Sequence, residues 1–313
     1  MTDYQKHLVE KFKVSSFDDF YAFPLFFELE TVNVCNARCS ICTINEWKSE
    51  TPFMEDDLFF RLADEINSHS DTVRIVNLSR DGEPFLDSGL EERIAYFKKG
   101  GIKFTTLSTN AALLNEKRIL SVLASGLDDI MFSVDGATKN TYENIRIGLS
   151  FEEVTENIRN FIRLRNASNS STSVRIRMVM TPENMHEADD FKKMWQDVIG
   201  SGDKIQMKHL HSWGNQLQGF NAVTEYEKIY TPCSSPFTTC IIKSDGEIIV
   251  CPVDFKRKHI NGSIMEKSIA EIWKNGKELN AFRQIHLEGG RNDIPMCEKC
   301  FLWDADISKV DMT

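Results

Sequence analysis

The chain has 313 residues, 41 % apolar and 27 % charged, an ordinary globular composition with room for one large domain and one small one. A net charge of −10 and a pI near 5.3 repel phosphate backbones and argue against a nucleic-acid partner. No apolar run is long enough to span a bilayer, and the first residues lack the apolar core of a signal peptide, so a cytoplasmic protein with no membrane partner is expected.

In chain order, Leu25 to Val32 reads as the first strand and Glu55 to Ser68 as the first amphipathic helix. Strand Thr72 to Leu78 is followed by helix Ser88 to Lys99, and strand Lys103 to Ser108 by helix Glu116 to Ser125. Strand Asp129 to Val134, helix Phe151 to Arg165, strand Ser173 to Met180, helix His186 to Ile199 and strand Lys204 to His211 complete the series. This rhythm of about six strands predicts an α/β fold with a parallel sheet and right-handed crossovers, either an incomplete barrel or an open doubly wound sheet. In both, ligands gather at the carboxyl ends of the strands. The rhythm breaks near Gly214. Thr239 to Lys243 and Ile248 to Cys251 read as a hairpin around Asp245-Gly246, and Ser268 to His286 as one helix with an interruption at Gly276. A boundary near residue 220 divides the chain into domains of about 1–220 and about 221–313.

Eight cysteines need a reason. In a reducing compartment disulfides are not expected, and metal binding or catalysis is the better reading. Cys35, Cys39 and Cys42 cluster early, Cys233, Cys240, Cys251, Cys297 and Cys300 lie late, and the long middle has none. The early set has the spacing C-x3-C-x2-C, three thiolates on one loop after the first strand. Three thiolates grip three irons of a cubane and leave the fourth iron open, as a catalytic metal site requires. A zinc knuckle or three ordinary cysteines are the bland alternatives.

The spacing and its place resemble the signature of the radical S-adenosylmethionine (SAM) superfamily. The resemblance implies a partial (β/α)6 TIM-like barrel, a [4Fe–4S] cluster on Cys35, Cys39 and Cys42, and SAM chelated at the open iron. It also implies cleavage of SAM to a 5′-deoxyadenosyl radical that takes hydrogen from the substrate, with flavodoxin or ferredoxin as electron source. Gly82-Glu83-Pro84 stands where the family has Gly-Glu-Pro, which implies that Glu83 receives the amino group of SAM. Asp81 replaces a glycine common before that motif, and Ile41 stands where an aromatic residue is common. Ser108-Thr109-Asn110 and Ser133-Val134-Asp135-Gly136 resemble cofactor-lining segments, making Ser108, Asn110, Ser133 and Asp135 candidates for the ribose or the methionine head group. Arg177 is the candidate partner of the methionine carboxylate, and Arg175 points the same way by period two.

The late cysteines resemble the twitch domain, a shortened SPASM extension that binds one auxiliary [4Fe–4S] cluster in a small α+β unit. Cys233, which precedes Ser-Ser-Pro-Phe, joins Cys251, Cys297 and Cys300 as the expected ligands. Tetrahedral zinc is the rival for these four. Cys240 is either a buried small hydrophobe or a hydrogen-atom donor facing the substrate. His209 and His211 alternate on the sixth strand and are candidates for proton transfer, against a structural or merely exposed role. Asn184 at the end of the fifth strand, and Glu46, Trp47 and Lys48 as a lid, are further candidates.

In size and cysteine count the chain resembles small twitch-bearing dehydrogenases of aminoglycoside pathways. That implies an oxidoreductase acting on a hydroxyl-bearing small molecule, a sugar or cyclitol, with an electron passing to the auxiliary cluster. The enzyme alternatives are an epimerase using Cys240 and a peptide or protein maturase. Only about 25 residues precede the first strand, little room for the recognition domain that peptide maturases often carry. The non-enzyme alternative is a zinc-binding interaction protein.

Overall fold

The computed structural model describes residues 1–46, 48, 50–217, 232–298 and 300. Two helices, α1 (Asp3–Phe12) and α2 (Asp19–Ala22), come first. Six parallel strands follow in sequential order: β1 (Phe26–Leu29), β2 (Ile75–Asn77), β3 (Phe104–Thr109), β4 (Asp129–Ser133), β5 (Ser173–Met180) and β6 (Lys204–His209). Between them run α3 (Asp56–Ser68), α4 (Leu90–Lys99), α5 (Glu116–Ala124), α6 (Lys139–Ile145), α7 (Phe151–Ala167) and α8 (Ala188–Gln196). This is the expected partial TIM-like barrel.

Local chemistry sets the elements. Asn115 and Ser150 accept the backbone N–H groups of Arg118 and Glu153 and so cap the starts of α5 and α7. The strands alternate by period two. Phe27, Val76, Leu107, Ile130 and Ile176 face the helices and are buried, while their neighbours in sequence face the barrel axis.

The axial residues form rungs through the strand register. Phe26, Ile75 and Phe104 make the lowest rung. Leu8, Phe12, Phe17, Phe20 and Phe237 pack with this rung, so α1 and α2 plug the bottom of the barrel. Glu28, Asn77, Thr106 and Asp129 make the next rung, which is polar. Above it lie Ser108, Met131 and Arg175, then Ser133, Arg177 and Gln206. An apolar floor under polar rungs puts the chemistry at the carboxyl ends of the strands.

The later part of the chain contains α9 (Ser235–Thr238), β7 (Thr239–Ile242), β8 (Glu247–Ile249), β9 (Ile260–Ser263), α10 (Ile269–Asn275) and α11 (Lys277–Leu287). β7 and β8 form the expected hairpin, with Gly246 at φ +87° in its turn. β7 also pairs in parallel with the free edge of β1, from Phe26↔Thr239 to Leu29↔Ile242. One nine-stranded sheet therefore runs through both parts of the chain. Sequence reasoning treated the late segment as a unit apart and missed this pairing, along with β9 and α6. The boundary expected near residue 220 lies outside the described residues. The helix over 268–286 is two helices, because the chain is extended at Gly276 and a Cβ there would lie 2.2 Å from the Asn261 side chain. No helix among the described residues is long and apolar enough to cross a membrane.

Candidate active site

The early cysteine loop leaves β1 and is pinned to the end of α6 and the residues just after it. Arg38 N–H donates to Ile147 O and Ser40 N–H to Ile145 O, both at 2.9 Å. Cys42 then begins a short 3-10 turn, Thr43–Asn45. The sulfurs meet donors: Cys35 Sγ lies 3.4 Å from Ala37 N and 3.7 Å from Asn110 Nδ2, and Cys39 Sγ lies 3.8 Å from Arg146 Nη1. N–H groups aimed at sulfur are what cluster-bound thiolates use to hold negative charge. Burial pushes the Cys42 thiol up to about 11 and raises Cys35 as well.

The Gly-Glu-Pro segment packs against the same loop. A Cβ on Gly82 would lie 2.6 Å from Val32 O and 2.7 Å from Val34 O, so only glycine fits. Glu83 N–H donates to Val34 O at 2.9 Å. The Glu83 carboxylate is buried and accepts from the Thr109 hydroxyl at 2.6 Å, Asn110 N–H at 2.8 Å and Phe85 N–H at 3.2 Å. Burial still raises its carboxyl above the ordinary glutamate value. Pro84 starts a 3-10 turn and does not line the cavity.

Both cysteine sets line one cavity of about 550 Å³, together with Glu83, Ser108, Asn110, Ser133, Arg177, His209 and His211. Cys35, Cys39 and Cys42 are on its wall, and so are Cys233, Cys251, Cys297 and Cys300. The four late thiols are near neighbours. Burial and the proximity of Cys297, Cys233 and Cys300 raise the Cys251 thiol well above its ordinary value. Burial and the proximity of Cys233 and Cys300 push Cys297 up to about 12. Gathered, buried thiols of this kind become stable thiolates once a metal centre neutralises them.

A family model for the radical SAM superfamily matches residues 29–194, and one for the SPASM iron–sulfur cluster-binding domain matches residues 233–301. The chain belongs to the radical SAM superfamily. It is 23 % identical to the tungsten-containing aldehyde ferredoxin oxidoreductase cofactor-modifying protein of Pyrococcus furiosus, over 88 % of this chain and 87 % of that one. It is 21 % identical to mycofactocin maturase MftC of Mycolicibacterium smegmatis, over 90 % and 76 %. The S-adenosyl-L-methionine-dependent 2-deoxy-scyllo-inosamine dehydrogenase of Niallia circulans is 22 % identical over 87 % and 91 %. The crystal structure of BtrN in complex with AdoMet and 2-DOIA shares the fold, with a TM-score of 0.59, 18 % identity and coverage of 88 % and 92 %.

Membership fits the donor sets: this radical SAM enzyme uses [4Fe–4S] clusters and SAM as cofactors. The reading as a zinc-binding interaction protein is replaced. Cys240 is buried on β7 in register with Phe27, on the helix side of the sheet, and does not line the cavity, which fits the buried small hydrophobe of its two readings and not the hydrogen-atom donor. Other expectations need correction. Asp135 is buried below the cavity wall; its carboxylate accepts from Arg146 Nε at 2.6 Å and Val179 N–H at 2.7 Å. It therefore aims Arg146 at the cavity. Asn184 is a buried staple, donating to Asp135 O and Val179 O and accepting from Thr181 N–H. Arg175 is held by Asp129, leaving Arg177 one rung nearer the mouth. Trp47 lies outside the described residues.

Sequence reasoning missed Arg146, Thr109, Glu28 and Arg80. Glu28 and Arg80 line the cavity and pair at 2.9 Å. A glutamate at an inward position of an otherwise apolar strand was the available signal for Glu28.

Proposed function

We propose that the chain dehydrogenates a hydroxyl-bearing small molecule of the sugar or cyclitol class, with Cys233, Cys251, Cys297 and Cys300 holding the auxiliary cluster that takes the electron. The carrying observation is that both thiol sets line one cavity. A substrate there lies between the two cluster sites. SAM on the first cluster, when bound, supplies a carbon-centred oxidant that removes one hydrogen atom. The carbinol must then lose one proton and one electron to become a ketone.

The chain's residues do the remaining work. Glu83 holds the SAM ammonium, and Ser108, Asn110, Ser133 and Arg177 hold its ribose and carboxylate from adjoining strand ends. His209, on the cavity wall, accepts the hydroxyl proton; its Nδ1 is buried without a hydrogen-bond partner among the described residues. His211 is less suited, since its Nδ1 accepts Trp213 N–H at 3.1 Å. The starting electron comes from an outside flavodoxin or ferredoxin. The relative named as a 2-deoxy-scyllo-inosamine dehydrogenase supports this class, because its likeness covers both halves of the chain.

The test is anaerobic turnover with SAM, reductant and cyclitols deuterated at the carbinol carbon. Deuterium in 5′-deoxyadenosine and a product lighter by two hydrogens are expected. If 5′-deoxyadenosine forms without deuterium, and a precursor peptide loses hydrogen instead, the maturase reading replaces this one.

A further inference from the structure

His286 lies on the buried face of α11 with Leu279 and Phe282 and is itself fully buried. Its ring makes two contacts. Nδ1 accepts the backbone N–H of Cys233 at 3.1 Å, and Nε2 lies 3.7 Å from Cys297 Sγ. Together they fix the tautomer. A ring nitrogen that accepts an amide proton carries none of its own, so the imidazole proton is on Nε2 and points at the Cys297 sulfur.

Among the described residues, the neighbouring backbone amides are turned to carbonyls rather than to that sulfur. The Cys297 amide is engaged with Ile294 O at 2.8 Å, and the Cys300 amide with Cys297 O at 3.2 Å. Cys35, in the other set, takes an N–H from its own loop at Ala37. His286 brings an N–H to the Cys297 sulfur from a helix. Arg291, buried on the same side of the cavity, donates to Cys300 O and adds a fixed positive charge.

We infer that His286 is a positioning residue of the auxiliary cluster, tying Cys233 to Cys297 and raising the cluster's reduction potential through an Nε2–H···Sγ hydrogen bond. The inference rests on the four-cysteine ligand set proposed above. An added electron increases the negative charge on the ligand sulfur, so a donor aimed at that sulfur stabilises the reduced state more than the oxidised one. Losing the donor lowers the potential.

The experiment uses the full chain with Cys35→Ala, Cys39→Ala and Cys42→Ala, which leaves the auxiliary cluster as the one redox signal. His286→Asn keeps an acceptor near the Nδ1 position for Cys233 N–H but is too short to reach Cys297. His286→Gln places an amide N–H near the Nε2 position. In a potentiometric titration read by electron paramagnetic resonance, the Asn variant shifts the one-electron equilibrium about tenfold, about 59 mV more negative. The Gln variant stays close to the parent. Equal shifts in both, or none in either, with about four irons retained per chain, overturn the inference. A triple cysteine variant without a cluster overturns the ligand set, a separate failure. If the Asn variant loses its iron, the parent decides the matter. Pulsed resonance on protein carrying 15N-histidine must show an imidazole nitrogen coupled to the reduced cluster, absent in His286→Gln; no coupling in the parent overturns the inference.

Discussion

Lys243→Met tests a cluster of buried charges. The Lys243 ammonium, just past β7, contacts both the Glu30 and Asp81 carboxylates; their side chains are 2 %, 0 % and 3 % exposed. At an effective dielectric of about 20, each contact attraction is about 4 kcal/mol, and dehydration of the ions offsets much of it. Removing the ammonium alone keeps the dehydration and deletes the attraction, which costs about 3–5 kcal/mol in buried pairs. Arg80 lies 3.8 Å from Asp81 and Arg257 lies 3.6 Å from Glu30, so part of the charge stays covered and the loss falls near the low end. With a urea slope of about 3 kcal/mol per molar, about 3 kcal/mol moves the unfolding midpoint down by about 1 M. The assay is anaerobic urea unfolding followed by tryptophan fluorescence, on Lys243→Met, Asp81→Asn and the double variant. A coupling of about 2 kcal/mol is expected. A cost below about 1 kcal/mol, or strict additivity, refutes the reasoning.

Glu30 gives a pH signature. Burial and the neighbouring Asp81 raise its carboxyl from 4.5 to about 7, with Lys243 pulling the other way. A raised folded value means its contribution is full below pH 4.5 and is lost as pH rises through about 7. Glu30→Gln therefore gains stability relative to the parent between pH 5 and 8 in thermal melts, with the difference flat above that window; a pH-independent difference counts against the assignment. Cys240→Ala should retain iron content and turnover and lose only about 1 kcal/mol of stability, since it removes one sulfur from a packed core; loss of turnover with intact clusters revives the epimerase reading. Glu83→Gln, with its carboxylate charge gone, weakens SAM binding about 10- to 100-fold in calorimetry on the reconstituted protein; unchanged affinity removes Glu83 from the SAM site.

The six-strand series was legible because inward and outward residues alternate with a period that any α/β barrel imposes. The first three cysteines were legible because one short loop carries all of them. Cys240 was not, because its face is fixed by pairing with Phe27, far away in sequence, and an apolar neighbourhood fits either face. Asp135 and Arg146 illustrate a second limit. Two polar groups on adjoining segments both qualify for a cavity, and only packing shows that the carboxylate anchors while the guanidinium projects. His286 was hidden by distance, since it belongs to a helix whose pattern reads as ordinary core. The Asp81 departure from the family glycine was visible, but its partner Lys243 sits in the other half of the chain.

The pairing of β7 with β1 has a practical consequence. Truncating the chain after the barrel would strip the cover from the first strand and leave a row of unmatched amide and carbonyl groups along an apolar ribbon, Phe26-Phe27-Glu28-Leu29. A shortened protein of this kind would self-associate through that ribbon, so the barrel and the segment that follows it must be made and handled together.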